Sequence, residues 1–269
     1  MAEYKWKAGT FFHHIREASG ERGESLEDTI AWALGLGYTA AELDADDLAG
    51  TEFLSKKGMR VSSIYRNYGW GNGIDISGME DHIRLAQRLG AGRIMAIPGL
   101  CSDKSFDSGE LERMHEGMLK LSALARENGL ILTIEDYDNA LSPIATMGGM
   151  KTFLDADPDL KVALDTGNFI FSGEDILSAE ELFRTRVAHV HLKDRLWSRA
   201  GEGDVLVSTN GLKLYPCAVC DGDIPINTVL RNLADAGYDG YVMAEFFGSK
   251  SYSLNMERSA ENLKKEGWI

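Results

Sequence analysis

Cysteine and proline are scarce in this 269-residue chain, which has three of the first and five of the second. So few cysteines, and an odd number, supply no disulfide framework. Cys217 and Cys220 form a single CxxC with no second pair to complete a tetrahedral metal site, so they read as an incidental pair in a loop. The prolines do not gather with serine into a linker, and no low-complexity stretch divides the chain. No run of about 18 apolar residues is present, so no membrane helix is expected. The first stretch, MAEYKWKAGTFFHH, lacks the apolar core and the small-residue cleavage site of an export signal, and a cytoplasmic location is expected. Basic residues are outnumbered, 28 against 42 acidic, for a net charge of −14. That balance argues against a surface that tracks nucleic-acid phosphates.

The chain is long enough for one large α/β barrel with a sizeable core. Strand-like and helix-like segments alternate along it. The apolar runs that read as strands are 8–13, 39–44, 60–65, 93–98, 131–136, 161–166, 187–192 and 241–246. Helical patterns lie between them. SLEDTIAWALGLG (25–37) starts on Ser25, a candidate N-cap, and stops on glycine, the polarity expected of a helix. Segments 79–90, 109–129 and 227–237 follow the same grammar, and an amphipathic helix is expected at about 253–266. Eight strands, each followed by a helix, predict a (β/α)8 TIM barrel forming one domain over residues 1–269.

Four residues stand near the C-terminal ends of successive apolar runs: Glu135 in ILTIED, Asp165 in KVALDTG, His191 in VAHVHLKD and Glu245 in YVMAEFF. Neighbouring strands lie roughly 5 Å apart, so side chains from adjacent strand ends can converge on one point. Three carboxylates and one imidazole there make an oxygen-rich site for one divalent metal. Each residue taken alone has an ordinary explanation as a hydrogen-bonded core group. Four at equivalent positions on successive strands favour the metal. The spacings of 30, 26 and 54 residues fit one βα unit each for the first two, with the last about one unit too long. The surplus falls in the segment from Asp194 to about Pro225, on the face where barrels build their active sites, and a lid is expected there.

The strings IPG, IED, LDTGN, HVHLKD and GDIPINTVLRNLADAGYDGYVMAEFF resemble those of the xylose isomerase-like barrel superfamily, over nearly the whole chain and most strongly from 131 to 247. The resemblance implies a single divalent ion held by Glu135, Asp165, His191 and Glu245, with Mn²⁺ first, Mg²⁺ or Co²⁺ next, and Zn²⁺ as a further candidate. It also implies that Glu135 and Glu245 act as acid and base on opposite faces of the substrate. The chemistry agrees. A divalent ion polarises a carbonyl and makes the neighbouring C–H acidic enough for a positioned carboxylate. Reprotonation on the other face gives an epimer; reprotonation on the neighbouring carbon gives an isomer.

Departures from the superfamily pattern narrow the expectation. Where histidine is common after the sixth strand, this chain has Asn168, whose amide suits a substrate hydroxyl rather than a second metal. Tyr65–Asn67 and Pro98–Leu100 provide none of the extra histidines of the apurinic endonuclease relatives. Substrate contacts are expected from His13, Asn168, Lys193 and Arg195. Trp70, Trp197 and Tyr215 are candidates to stack on a sugar ring, and Glu42 is expected to support a neighbour within the barrel. The leading expectation is isomerisation or epimerisation of a sugar or keto-polyol through an enediolate. The alternatives are a lyase that expels a β-leaving group, as in dehydration of an inosose, and a non-catalytic sugar-binding subunit. The expected partner is a small sugar or polyol, with no nucleic acid and no membrane; monomer and homo-oligomer are both compatible with the sequence.

Overall fold

The computed structural model describes residues 5–269, so the first four residues of the expected domain lie outside the described residues. Eight parallel strands close into a barrel: β1 (Lys7–Phe11), β2 (Ala40–Asp44), β3 (Arg60–Asn67), β4 (Arg93–Ile97), β5 (Ile131–Ile134), β6 (Lys161–Asp165), β7 (Val187–Lys193) and β11 (Tyr241–Glu245). Each pairs with its neighbour in sequence order, and β1 closes the ring against β11, with Lys7 opposite Tyr241 and Thr10 opposite Ala244. The expected (β/α)8 barrel is therefore the observed fold.

The helices that pack outside the strands are α1 (Phe12–Arg22), α2 (Leu26–Leu36), α3 (Glu52–Lys57), α4 (Ile76–Leu89), α5 (Ser108–Glu127), α6 (Met147–Ala156), α7 (Ile176–Phe183), α8 (Ile226–Asp235) and α9 (Tyr252–Lys265). Helix α2 starts and stops as its sequence requires. The Ser25 hydroxyl accepts a hydrogen bond from the Asp28 amide, and Gly37 ends the helix in the left-handed region at φ 109°. Buried Ile15, Ile30, Leu54, Met79, Ile83, Met118, Leu121 and Phe153 from the helices fill the layer against the outward faces of the strands.

Two expectations about chain path are corrected. The first strand stops at Phe11 and α1 begins at Phe12, so His13 and His14 lie in a helical first turn rather than at a strand end. Nothing in the sequence marks this start. Phe11 makes no side-chain cap, and the first turn carries no acidic residue. The surplus segment after β7 is not an open loop. It contains β8 (Arg195–Leu196), β9 (Leu206–Val207) and β10 (Lys213–Pro216), which form a small antiparallel sheet with β10 in the middle.

Two carboxylates tie the ends of that segment to each other. The buried Asp194 carboxylate accepts from the amides of Arg195 (2.9 Å), Gly222 (2.9 Å) and Ile224 (3.2 Å). Burial pushes its carboxyl up to about 6 against the pull of those amides. The Asp223 carboxylate accepts from the amides of Trp197 (2.7 Å) and Ser198 (2.8 Å). Both ends of the segment are thereby held together by carboxylate–amide bonds. Among the described residues, no helix is long and apolar enough to cross a membrane.

Candidate metal centre

The barrel brings the four expected ligands to one place. Asp165 and Glu245 are the last residues of β6 and β11, Glu135 immediately follows β5, and His191 stands in β7 opposite both Asp165 and Met243 in the ladder. All four are buried, and one donor atom from each lies within 4.8 Å of the others. His191 Nδ1 contacts a Glu135 carboxylate oxygen and lies 3.4 Å from Glu245 Oε2. Asp165 Oδ1 accepts from the Gly167 amide at 2.7 Å, while buried Oδ2 has no hydrogen-bond partner. A buried carboxylate oxygen without a hydrogen bond, beside two other carboxylates and an imidazole, is a place where a cation is favourable. Oxygen-rich donors with one nitrogen suit a divalent ion, and the residues present fit one.

Burial and neighbouring charge set the protonation tendencies of the cluster. Burial pushes the Asp165 carboxyl well up, and the nearby charges of Glu245 and Glu135 add to that effect. Burial likewise raises Glu135 against the pull of His191. Burial alone would lower the His191 imidazole, but the carboxylates of Glu135 and Glu42 override it and hold it well above its ordinary value. Lys193 Nζ lies 3.6 Å from Asp165 Oδ2 and 2.7 Å from Asn168 Oδ1, to which it donates. Burial would lower this ammonium too, yet the charges of Asp165, Glu245 and Asp138 raise it. Positive charge from His191 and Lys193 thus balances the carboxylates.

A cavity of about 380 Å³ opens on the cluster. Phe11, Tyr65, Tyr137 and Phe247 give it aromatic walls, and Met95 and Ile97 add apolar surface. Phe11 also packs edge-on against the His191 ring at 4.9 Å between centroids. Of the residues expected to contact a substrate, Asn168, Lys193 and Arg195 line the cavity. Asn168 donates to the Asp136 carbonyl at 2.8 Å, which fixes the amide so that its oxygen receives the lysine. Arg195 Nη2 donates to Asp138 Oδ2 at 2.7 Å.

Other expected residues are placed elsewhere. His13 is part-buried and stacks on Phe247 at 5.2 Å, and it lines a small neighbouring cavity with Glu42 and Asp44 rather than the main one. His14 is buried and its Nε2 accepts from the Phe246 amide at 3.1 Å, which makes it a packing residue. Trp70 is 0% exposed and stacks on Tyr68 at 4.4 Å, so it cannot lie on a sugar. Neither Trp197 nor Tyr215 lines the cavity, and of the segment expected to form a lid only Arg195 reaches it. Sequence reading overlooked Asp44, Asn67 and Asp138. Asp44 ends β2 much as Asp165 ends β6, so its position was readable; Asp138 gave no signal beyond following IED.

Beneath the cluster, Glu42 supports its neighbours as expected. Its Oε2 lies 2.7 Å from His189 Nε2 and 2.8 Å from His191 Nε2. Glu42, His189 and His191 form a second group close enough to hold a metal, sharing His191 with the first.

Fold and site together define a parallel barrel that gathers carboxylates and an imidazole at its strand ends. The chain belongs to the xylose isomerase-like TIM barrel family, whose model matches residues 30–266. An inosose dehydratase of Clostridium perfringens is 32% identical over 141 residues, which are 51% of this chain and 47% of the relative. The chain therefore matches about half the length of that curated relative. Among solved structures, the probable 3-DHS dehydratase AsbF of Bacillus anthracis superposes with a TM-score of 0.74 at 17% identity, covering 96% of this chain and 98% of the other. The IOLI protein, solved with a bound zinc atom, gives a TM-score of 0.64 at 17% identity over 87% and 90% of the two chains. At those identities the structures establish the shared fold.

Proposed function

We propose that this protein is a divalent-metal-dependent lyase that removes water from a small polyhydroxylated carbonyl compound of the inosose class. The observation that carries the reading is the likeness to an inosose dehydratase over half of this chain. It favours the lyase alternative over the isomerase or epimerase that the sequence suggested first. The cavity volume of about 380 Å³ suits a six-carbon ring.

Glu135, Asp165, His191 and Glu245 hold the ion in this reading. Bound there, a divalent ion would supply the Lewis acidity that polarises a substrate carbonyl and stabilises an enolate. In this reading Glu135 or Glu245 takes the proton from the carbon beside that carbonyl. As that C–H bond breaks, its electrons form the new C=C bond and the β-hydroxyl departs. The leaving oxygen needs a proton to go as water, and the buried Lys193 ammonium is the donor at hand. Asn168 holds that lysine, while Asp138 and Arg195 offer hydrogen bonds to the remaining hydroxyls. The aromatic walls cover the apolar face of the ring and keep bulk water from the enolate.

The test is a metal-loaded enzyme incubated with an inosose and with a panel of ketoses in D₂O, followed by NMR. A dehydrated product from the inosose is expected. Deuterium entering carbon without loss of water would replace the lyase with an isomerase or epimerase. Binding without exchange would leave a sugar-binding protein.

A further inference from the structure

We infer that Arg93, His189 and Glu42 form a positioning relay that fixes the tautomer of His191, so that the protein holds one ion and presents His191 Nδ1 to it. The inference rests on the reading of the four strand-end residues as a metal centre. It comes from the direction in which hydrogen bonds can run along a chain of four side chains, part-buried at Arg93 and buried from His189 inward.

Arg93 Nη1 lies 2.9 Å from His189 Nδ1. A guanidinium has only donors, so His189 Nδ1 must be the acceptor and carries no proton. A neutral imidazole without a proton on Nδ1 carries it on Nε2. His189 Nε2 therefore donates to Glu42 Oε2, 2.7 Å away. An ionised carboxylate only accepts, so the second contact on that oxygen, His191 Nε2 at 2.8 Å, is also a donated N–H. The polarity set by Arg93 at the start of β4 thus reaches the imidazole in the centre of the barrel. With Nε2–H committed to Glu42, the other ring nitrogen, Nδ1, is left for the ion. That nitrogen is the one facing Glu135 and Glu245.

The same polarity disposes of the second donor group. Both Nε2 atoms facing Glu42 carry protons, and His189 Nδ1 is taken by the guanidinium. No lone pair from either histidine is left to bind a second ion beside Glu42. Glu42, His189 and His191 are fully buried, so water cannot substitute for a missing link. Carboxylate partners that fix a ligating histidine usually change metal affinity by about 10–100-fold when removed.

The test uses the whole protein with ¹⁵N-labelled histidine and Zn²⁺ as the probe. In the metal-free wild type, NMR should show His189 as the neutral Nε2–H tautomer. With Zn²⁺ it should show His191 bound through Nδ1 and protonated at Nε2, with one ion per chain. Chelator competition should show that Glu42→Gln weakens Zn²⁺ binding about 10–100-fold. Arg93→Met should weaken it in the same direction, and Arg93→Lys, which keeps a donor-only partner, should largely restore it. Zinc on His191 Nε2, two ions per chain, or unchanged affinity in a folded Glu42→Gln variant would overturn the relay while leaving the metal centre standing. A wild type that binds no ion but shows the His189 tautomer would overturn the metal reading, and with it the relay's role in directing an ion. If Glu42→Gln fails to fold, the wild-type tautomers and the arginine variants decide the question.

Discussion

Lys193 Nζ lies 2.5 Å from Glu245 Oε1, so a fixed cation sits among the side chains that would bind a mobile one. Breaking a buried ion pair commonly costs about 3–5 kcal/mol, because the remaining charge is left uncompensated. Lys193→Met should therefore lower the melting temperature of the metal-free protein more than that of the metal-loaded protein. Thermal scans of both forms check this. Equal losses in the two would show that the lysine does not compensate the carboxylates.

Removing ligands should remove the ion. Elemental analysis of His191→Ala and Asp165→Ala is expected to find little metal where the wild type holds one equivalent. Binding should also release a proton. Although burial opposes it, Glu135 and Glu42 hold the His191 imidazole well above its ordinary value, so the metal-free ring is charged near neutrality. An ion must displace that proton, so affinity should rise with pH. Calorimetry in two buffers of different ionisation enthalpy reads the proton directly.

Glu135→Gln and Glu245→Gln keep the size of the side chain and one oxygen but remove the basic carboxylate. Each is expected to retain some metal and to lose roughly two to four orders of magnitude in rate, the usual range for a general acid or base. Rates measured at equal metal occupancy decide it. Near-normal turnover in both variants would remove the glutamates from proton transfer.

A buried histidine that does not line the cavity should contribute to the loss of stability in acid. His82 is buried, with Nε2 donating to the Ile64 carbonyl at 3.0 Å and Nδ1 accepting from the Tyr68 hydroxyl at 2.8 Å. Burial lowers its pKa from 6.5 to about 4. The unfolded chain therefore binds the extra proton first as pH falls. The contribution of the neutral ring is complete above the unfolded value of 6.5 and is lost progressively down to about 4. The slope should not exceed about 1.4 kcal/mol per pH unit for this one group. Melting curves across that window should be flatter for His82→Gln than for the wild type.

The barrel and its four strand-end residues were legible because both are written locally. Apolar runs mark the strands, glycine stops mark the helices, and polar residues at equivalent ends of successive runs stand out as a set. What escaped depends on contacts distant in sequence. The Asp138–Arg195 pair and the bonds from Asp194 to residues 222 and 224 leave no local pattern. The start of α1 was hidden for a different reason: Phe11 and Phe12 read as one apolar run, yet the first faces the cavity and the second is the first residue of the helix. An extended run from 8 to 13 would have put both histidines at the rim; one helical turn carried His13 to a side cavity and His14 into the packing.

The seam between β1 and β11 sets a timetable for the protein's synthesis. The four clustered side chains all come from residue 135 onward, the last of them at the end of the strand that closes the ring. A chain emerging from the ribosome has already made β1 and Glu42, but it has no complete cage until Glu245 has cleared the exit tunnel and β11 has found β1. An ion held by these four residues would therefore find no complete cage during the early stages of assembly. In that reading it would enter once the ring has shut, and the barrel would first form by its own packing.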